Sequence, residues 1–135
     1  MVKTEISDNE FIIQFENSTL DEVHFDHTGH LRLAWIYLNA YAFDIAVDCV
    51  CVGIDKYATS LGASDKFHVT ITKAIMHIMK RRMNQFRPQD FQSFTEQNQD
   101  LVFDCFAVLN KYYSQNILNS AYAKTTFVLP NKRNF

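Results

Sequence analysis

Between His27 and Tyr41 the chain places Leu31, Ala34, Trp35, Leu38 and Tyr41 at steps of three and four residues. That recurrence is the period of one helix face, and Leu33 and Tyr37 widen it until the helix has to be well buried. The same rhythm returns downstream. Asp44, a good N-cap, opens a second helix running to about Ser60, with Ile45, Cys49, Val52 and Tyr57 joined by Ala46, Val50, Gly53 and Ile54 in a broad apolar face. Gly62 suits the left-handed residue that stops it. A third helix opens near Ser64 and Asp65 and continues through Ile71, Ala74, Ile75, Ile78 and Met79. Its basic end, Lys80-Arg81-Arg82, matches the negative pole of the helix dipole, and Arg87-Pro88 breaks it. The β-branched stretch Phe67–Thr72 would also fit a strand, but the unbroken period to Met83 favours helix.

Shorter helices are expected over Gln89–Gln97, over Leu101–Tyr113 and after Ser114. Residues 1–18 read as a polar arm with one apolar patch, Phe11-Ile12-Ile13 and Phe15, either extended or a short strand. Thr19-Leu20-Asp21-Glu22 has capping-box form, with Asp26 or Thr28 as the alternative cap of the first long helix. The expected fold is all-α: a single helical bundle-like domain over residues 1–135, of five to six helices, with an irregular N-terminal arm (1–18) and an extended C-terminal tail (125–135).

Composition supports this class. A chain of 135 residues with 47% apolar content can hold one core without disulfides or a structural metal. Three glycines and two prolines argue against a turn-rich β-sandwich or barrel. Thirteen basic and fifteen acidic residues leave a net charge of −2, which does not point to nucleic acid. The Lys80–Arg82 run with Arg87 reads as a solvated helix end. No apolar run approaches the roughly 18–20 residues of a membrane span, and no signal-peptide pattern opens the sequence, so a cytoplasmic protein is expected. Cys49, Cys51 and Cys105 are an odd set among apolar neighbours and read as core thiols. No phosphate loop, nucleophile elbow or zinc-finger spacing occurs.

The clustered chemistry is imidazole. His24, His27 and His30 fall within seven residues, and the three-residue step from His27 to His30 makes them neighbours on one helix. Such a pair can share one metal ion, with His68 as a third ligand from another helix. His77 lies nine residues beyond His68, on a different helical phase. Three neutral imidazoles suit a divalent transition metal (zinc, iron, copper or nickel) and leave a position open for water or substrate. Asp26, Asp44 and Asp48 are nearby carboxylates that no spacing fixes as ligands. The competing reading is that each histidine caps a helix, bonds a buried polar group or lies in solvent. Arg32, inside an apolar helix, reads first as a structural ion pair with Asp44, Asp48 or a helix C-terminus. Its functional alternative is an anchor for a substrate carboxylate or phosphate.

Phe25-Asp26-His27-Thr28-Gly29-His30-Leu31-Arg32-Leu33-Ala34-Trp35-Ile36-Tyr37-Leu38 resembles the pattern F-x-H-x-x-H-[LV]-R-L-A-[WY]-x-Y-L. Phe67-His68-Val69-Thr70-Ile71-Thr72 resembles [YF]-H-x-T-[IL]-T, and Tyr112 to Pro130 resembles a Y-Y-S…L-x-S-x-x-A…F-V-x-P ending. Together these motifs resemble a family of small, uncharacterised bacterial helical proteins. The resemblance implies that His27, His30 and His68 occupy motif positions, while His24 and His77 do not. Phe67 stands where that pattern commonly has Tyr, and Asn131 where it continues with Asp.

Two readings follow. One is a metalloprotein holding a metal at His27, His30 and His68, with Arg32 as a substrate anchor, acting as a metal-dependent enzyme on a small substrate. The other is a non-catalytic helical module that binds a protein partner, such as an inhibitor or accessory subunit, which the aromatic content of 14% suits. A homodimer is compatible with either.

Overall fold

The computed structural model describes residues 5–135, and among these it holds nine α-helices, two 3₁₀ turns and no strand. No helix among them is long and apolar enough to cross a membrane. The all-α expectation is met, with more and shorter helices than the sequence suggested. The chain divides after Phe67 into two compact units, the second spanning His68–Phe135.

The N-terminal unit is built from α1 (Asp8–Glu16), α2 (His27–Ala40) and α3 (Phe43–Ser60). Residues 1–18, read from sequence as an arm or strand, hold a helix instead, although residues 1–4 lie outside the described ones. Ser7 caps α1 by accepting the Glu10 N–H at 3.2 Å, and Asp8 and Glu10 place negative charge in its first turn. Phe11 and Phe15, four residues apart, form its buried face. The Thr19 box opens no α-helix. Asp21 caps the 3₁₀ turn Glu22–His24, and Asp26, one of the two alternatives, caps α2 by accepting the Gly29 N–H at 2.8 Å. A Cβ on Gly29 would lie 2.1 Å from the His24 carbonyl oxygen, so the turn can lie against α2 only because residue 29 has no side chain.

Only Tyr41 and Ala42 join α2 to α3. Ala42 holds the cap position, which puts Asp44 in the first turn of α3 rather than ahead of it. Gly62, at φ +70°, follows the helix as expected. The core between these helices contains Leu31, Leu33, Leu38, Ala46, Val50 and Ile54, each contributing up to about 1.5–3 kcal/mol if large and fully buried. α1 closes on α3 at Gly53, where a Cβ would sit 2.6 Å from the Phe15 ring. The rings of Phe15, Phe25 and Tyr57 cluster with centroids 4.8–5.6 Å apart, and the Tyr57 hydroxyl donates to the Leu20 carbonyl at 2.7 Å.

The C-terminal unit has one long helix, α4 (Val69–Phe86), preceded by the 3₁₀ turn Ser64–Lys66 of the first unit. Ser64 and Asp65 therefore do not start α4; His68 does. Arg87 takes the left-handed conformation at φ 47° and ends it before Pro88. Five short helices follow: α5 (Phe91–Gln97), α6 (Gln99–Phe103), α7 (Cys105–Leu109), α8 (Gln115–Leu118) and α9 (Ala121–Thr125). The single helix expected over Leu101–Tyr113 is thus broken at Asp104 and after Leu109. Buried Asn98 sits at the α5–α6 junction, donating to the Phe94 carbonyl at 2.8 Å and accepting from Arg82 at 3.1 Å.

The tail beyond Thr125 is extended, as expected, and is tied down by polar bonds. Thr70, fully buried, donates to the Thr126 carbonyl at 2.9 Å and accepts the Val128 N–H at 3.1 Å. The Tyr113 hydroxyl donates to the Val128 carbonyl at 2.6 Å, and Asn131 accepts the Ser114 N–H at 2.9 Å. Phe135 stacks on His77 at 4.6 Å between centroids.

Charge divides with the units. Residues 1–67 carry eleven acidic and four basic side chains, net −7, while residues 68–135 carry four acidic and nine basic, net +5.

Candidate functional site

The sequence-nominated residues have structural partners. His27 is the first residue of α2, and His30 lies one turn on. The His30 Nδ1 is 2.9 Å from the Asp26 carbonyl, which can only accept, so Nδ1 carries the proton and donates. Its ring packs on Phe25 at 4.0 Å. Although its edge is exposed, desolvation of the ring holds the His30 pKa below the ordinary value, against the opposing pull of the Asp26 carbonyl. His24 is buried in the 3₁₀ turn.

His68 belongs to the C-terminal unit and caps α4. Its Nδ1 accepts the Ile71 N–H at 3.1 Å, which fixes the proton on Nε2, and Nε2 donates to the Leu118 carbonyl at 3.0 Å. Both ring nitrogens are therefore engaged within that unit, and a metal bond would have to displace one of them. Among the described residues no group of three His, Cys, Asp or Glu side chains is placed to hold a metal ion.

Arg32 is paired, but with a carboxylate the sequence did not nominate. Its Nε and Nη2 donate to Asp8 Oδ1 at 3.0 and 2.8 Å, Nη2 donates to the Ile6 carbonyl at 2.7 Å, and the guanidinium lies 4.8 Å from the Phe11 ring centroid. Asp44 and Asp48 are not its partners in these bonds. The ion pair ties α1 to α2. Cys49, Cys51 and Cys105 are half-buried rather than core thiols, and burial pushes the Cys105 pKa up to about 11, away from thiolate chemistry.

The feature that sequence reasoning misplaced is on α3. Its apolar residues divide by helical phase. Ala46, Val47, Val50, Ile54 and Tyr57 face the core, whereas Ile45, Cys49 and Val52, four and three residues apart, form a separate row directed outward. Ile45 is 51% exposed and Val52 70%. This row borders an open groove of about 400 Å³ lined by Phe15 and Glu16 of α1, Tyr37 of α2, and Asp48, Cys49, Val52, Gly53 and Lys56 of α3. Tyr37 donates to Glu16 Oε2 at 2.7 Å, and Lys56 donates to the Glu16 carbonyl at 2.8 Å. Burial and the Glu16 carboxylate push the Tyr37 pKa upward, so its hydroxyl stays a neutral donor. A second row, Asp44, Asp48 and Asp55, runs beside the apolar one, and all three carboxylates are exposed. The sequence signal was an apolar face wider than one buried side of a helix needs, bordered by acids at helical spacing.

The groove offers apolar surface from Phe15, Tyr37, Cys49 and Val52 and charge from Glu16, Asp48 and Lys56. No family model, curated protein or solved structure matches the chain.

Proposed function

We propose that this chain is a non-catalytic helical module that binds another protein through its N-terminal unit. The observation that carries the reading is the outward apolar row of α3 beside an open groove, on a helix whose Ala46, Val47, Val50, Ile54 and Tyr57 already fill a core. An isolated exposed leucine or valine is ordinary surface, but aligned apolar residues along a groove are the form of an interaction site. The engagement of His68 in capping α4, and of Arg32 in joining α1 to α2, gives both residues structural work that needs no substrate.

A photo-crosslinking residue placed at position 52 in living cells tests this. A discrete adduct, competed away by excess wild-type protein but not by Val52→Glu protein, is the expected result. An adduct yield at position 52 no higher than at the α1 control position Gln14 would overturn it.

The metalloprotein reading keeps one supporting observation. The Asp26 carbonyl holds the proton of His30 on Nδ1, which leaves the lone pair on Nε2, the tautomer that backbone carbonyls commonly impose on metal-ligating histidines. Elemental analysis after loading with zinc, iron, copper or nickel, beside His27→Ala and His68→Ala proteins, decides it. Stoichiometric metal lost in both variants supports the site, and metal retained in either removes it.

A further inference from the structure

Resting on the binding-module reading, we infer that the groove of the N-terminal unit takes an amphipathic helix of another protein whose apolar stripe is bordered by lysine or arginine. Three features of the surface select that occupant. The apolar row and Lys56 lie at positions 45, 49, 52 and 56 of one helix, about 16 Å or three turns, which is the footprint of a short helix laid alongside. No strand edge exists among the described residues, so an extended peptide finds no backbone ladder to join.

Charge supplies the third. The row of Asp44, Asp48 and Asp55 runs parallel to the apolar row, Glu16 and Asp48 both line the groove, and the unit as a whole carries −7. A helix with basic residues beside its apolar stripe would meet these carboxylates, while an acidic one would be repelled. Lys56 donates to the Glu16 carbonyl at 2.8 Å at one end of the row, which places a positive charge there and marks where the partner's basic border stops. The apolar contacts supply the affinity and the carboxylates the choice of partner.

The test uses the full chain and two synthetic helical peptides that share one leucine stripe, bordered in one by lysine and in the other by glutamate. Binding is followed by fluorescence anisotropy and by amide shifts across Ile45–Lys56. The lysine peptide is expected to bind, to weaken at least tenfold between low and high salt, and to shift those amides. Val52→Glu decides between docking and bulk attraction. It adds a negative charge, so simple attraction predicts tighter binding, whereas docking predicts at least a tenfold loss. Val52 is 70% exposed, so the substitution leaves the core intact. An Asp44→Asn, Asp48→Asn double variant should bind several-fold more weakly with a shallower salt dependence.

Equal binding of both peptides to the α3 row would overturn the basic partner and leave the docking reading standing. Self-association abolished by Val52→Glu would do the same, with a second copy as the occupant. Binding of the lysine peptide that is unchanged or tighter with Val52→Glu would overturn the inference, as would the absence of any amide shift in Ile45–Lys56 with either peptide. That last result would count against the parent reading as well, unless position 52 still gave its competed adduct.

Discussion

The two units solve the same problem by different means. In the N-terminal unit, three helices of nine, fourteen and eighteen residues bury apolar faces against one another, and polar bonds such as Tyr57 to the Leu20 carbonyl complete a structure already set by packing. In the C-terminal unit only α4 is long, and the five helices after it have four to seven residues each. Helices so short do not persist unaided. They are fixed by side chains that bond the backbone: Asp90 and Ser120 as caps, Asn98 at a junction, Thr70 and Tyr113 on the extended tail. A large side chain deleted from packing leaves a cavity that its neighbours fill only in part. A lost bond to a half-buried carbonyl or N–H leaves a single polar group with nothing to replace water, a smaller cost at each site.

This contrast orders the expected effects of mutation. The largest should come from Phe15→Ala, which empties the fully buried ring position between α1 and α3 and should cost about 3–5 kcal/mol. Native-state hydrogen exchange should show α1–α3 amides losing protection by that amount while α4 amides keep theirs. An equal loss in α4 would break the comparison by showing that the units unfold as one. Next comes Thr70→Val, close in shape but without the hydroxyl that serves both Thr126 and Val128. It should cost about 2 kcal/mol, with Thr70→Ser recovering most of it in urea unfolding. A neutral Thr70→Val would mean that the tail is held by packing after all.

The pH response should be smaller and shared. Desolvation lowers the pKa of His30 in one unit and of His77 in the other, where Lys73 adds to the effect. A histidine whose folded pKa lies below its unfolded value binds its proton more readily when unfolded. Its cost is therefore absent above the ordinary value of 6.5 and grows as pH falls from there through the lowered folded value. His30→Gln should flatten the acid loss recorded by α2 amides, and His77→Gln that recorded by α4 amides. A variant that flattened both would show coupling the comparison does not include. Smallest of all should be Asp8→Asn, at about 0.5–1 kcal/mol, since Asp8 is more than half exposed and its pair with Arg32 is screened by water. Thermal melts at low and high salt would show it as a difference that salt narrows.

The same contrast explains what could be read from sequence. α2, α3 and most of α4 were legible because burial leaves a period, and Leu31, Trp35, Val50 and Ile78 all lie where that period puts them. α1 reads as irregular in sequence because Phe11 and Phe15 are its entire buried face, too few to show a period. The breaks at Asp104 and after Leu109 were invisible because Leu101, Cys105, Val108 and Leu109 keep helical spacing across the first of them. The motif residues were conspicuous for structural reasons as much as chemical ones. Phe25 packs with Phe15 and Tyr57, His68 caps a helix, and Arg32 reaches an acid twenty-four positions earlier, a partner that no local spacing announces. The groove is not legible in sequence because Ile45 and Val52 share an apolar vocabulary with the core, and only three-dimensional phase separates the two rows.

One wall of the groove, α1, is nine residues long, short of the roughly twelve to fifteen that make a helix even marginal by itself. Its folded form depends on Phe11 and Phe15 remaining seated, on the Arg32 pair with Asp8, and on the Lys56 bond to Glu16. Local opening of the unit should therefore begin by lifting this wall, which removes the groove along with it. Occupancy of the groove and closure of α1 are then one thermodynamically linked equilibrium, so a ligand seated against Phe15 and Glu16 slows amide exchange along the whole of α1. Substitutions on the far side of α1 change apparent affinity by altering how often the site exists, without changing any atom the ligand meets.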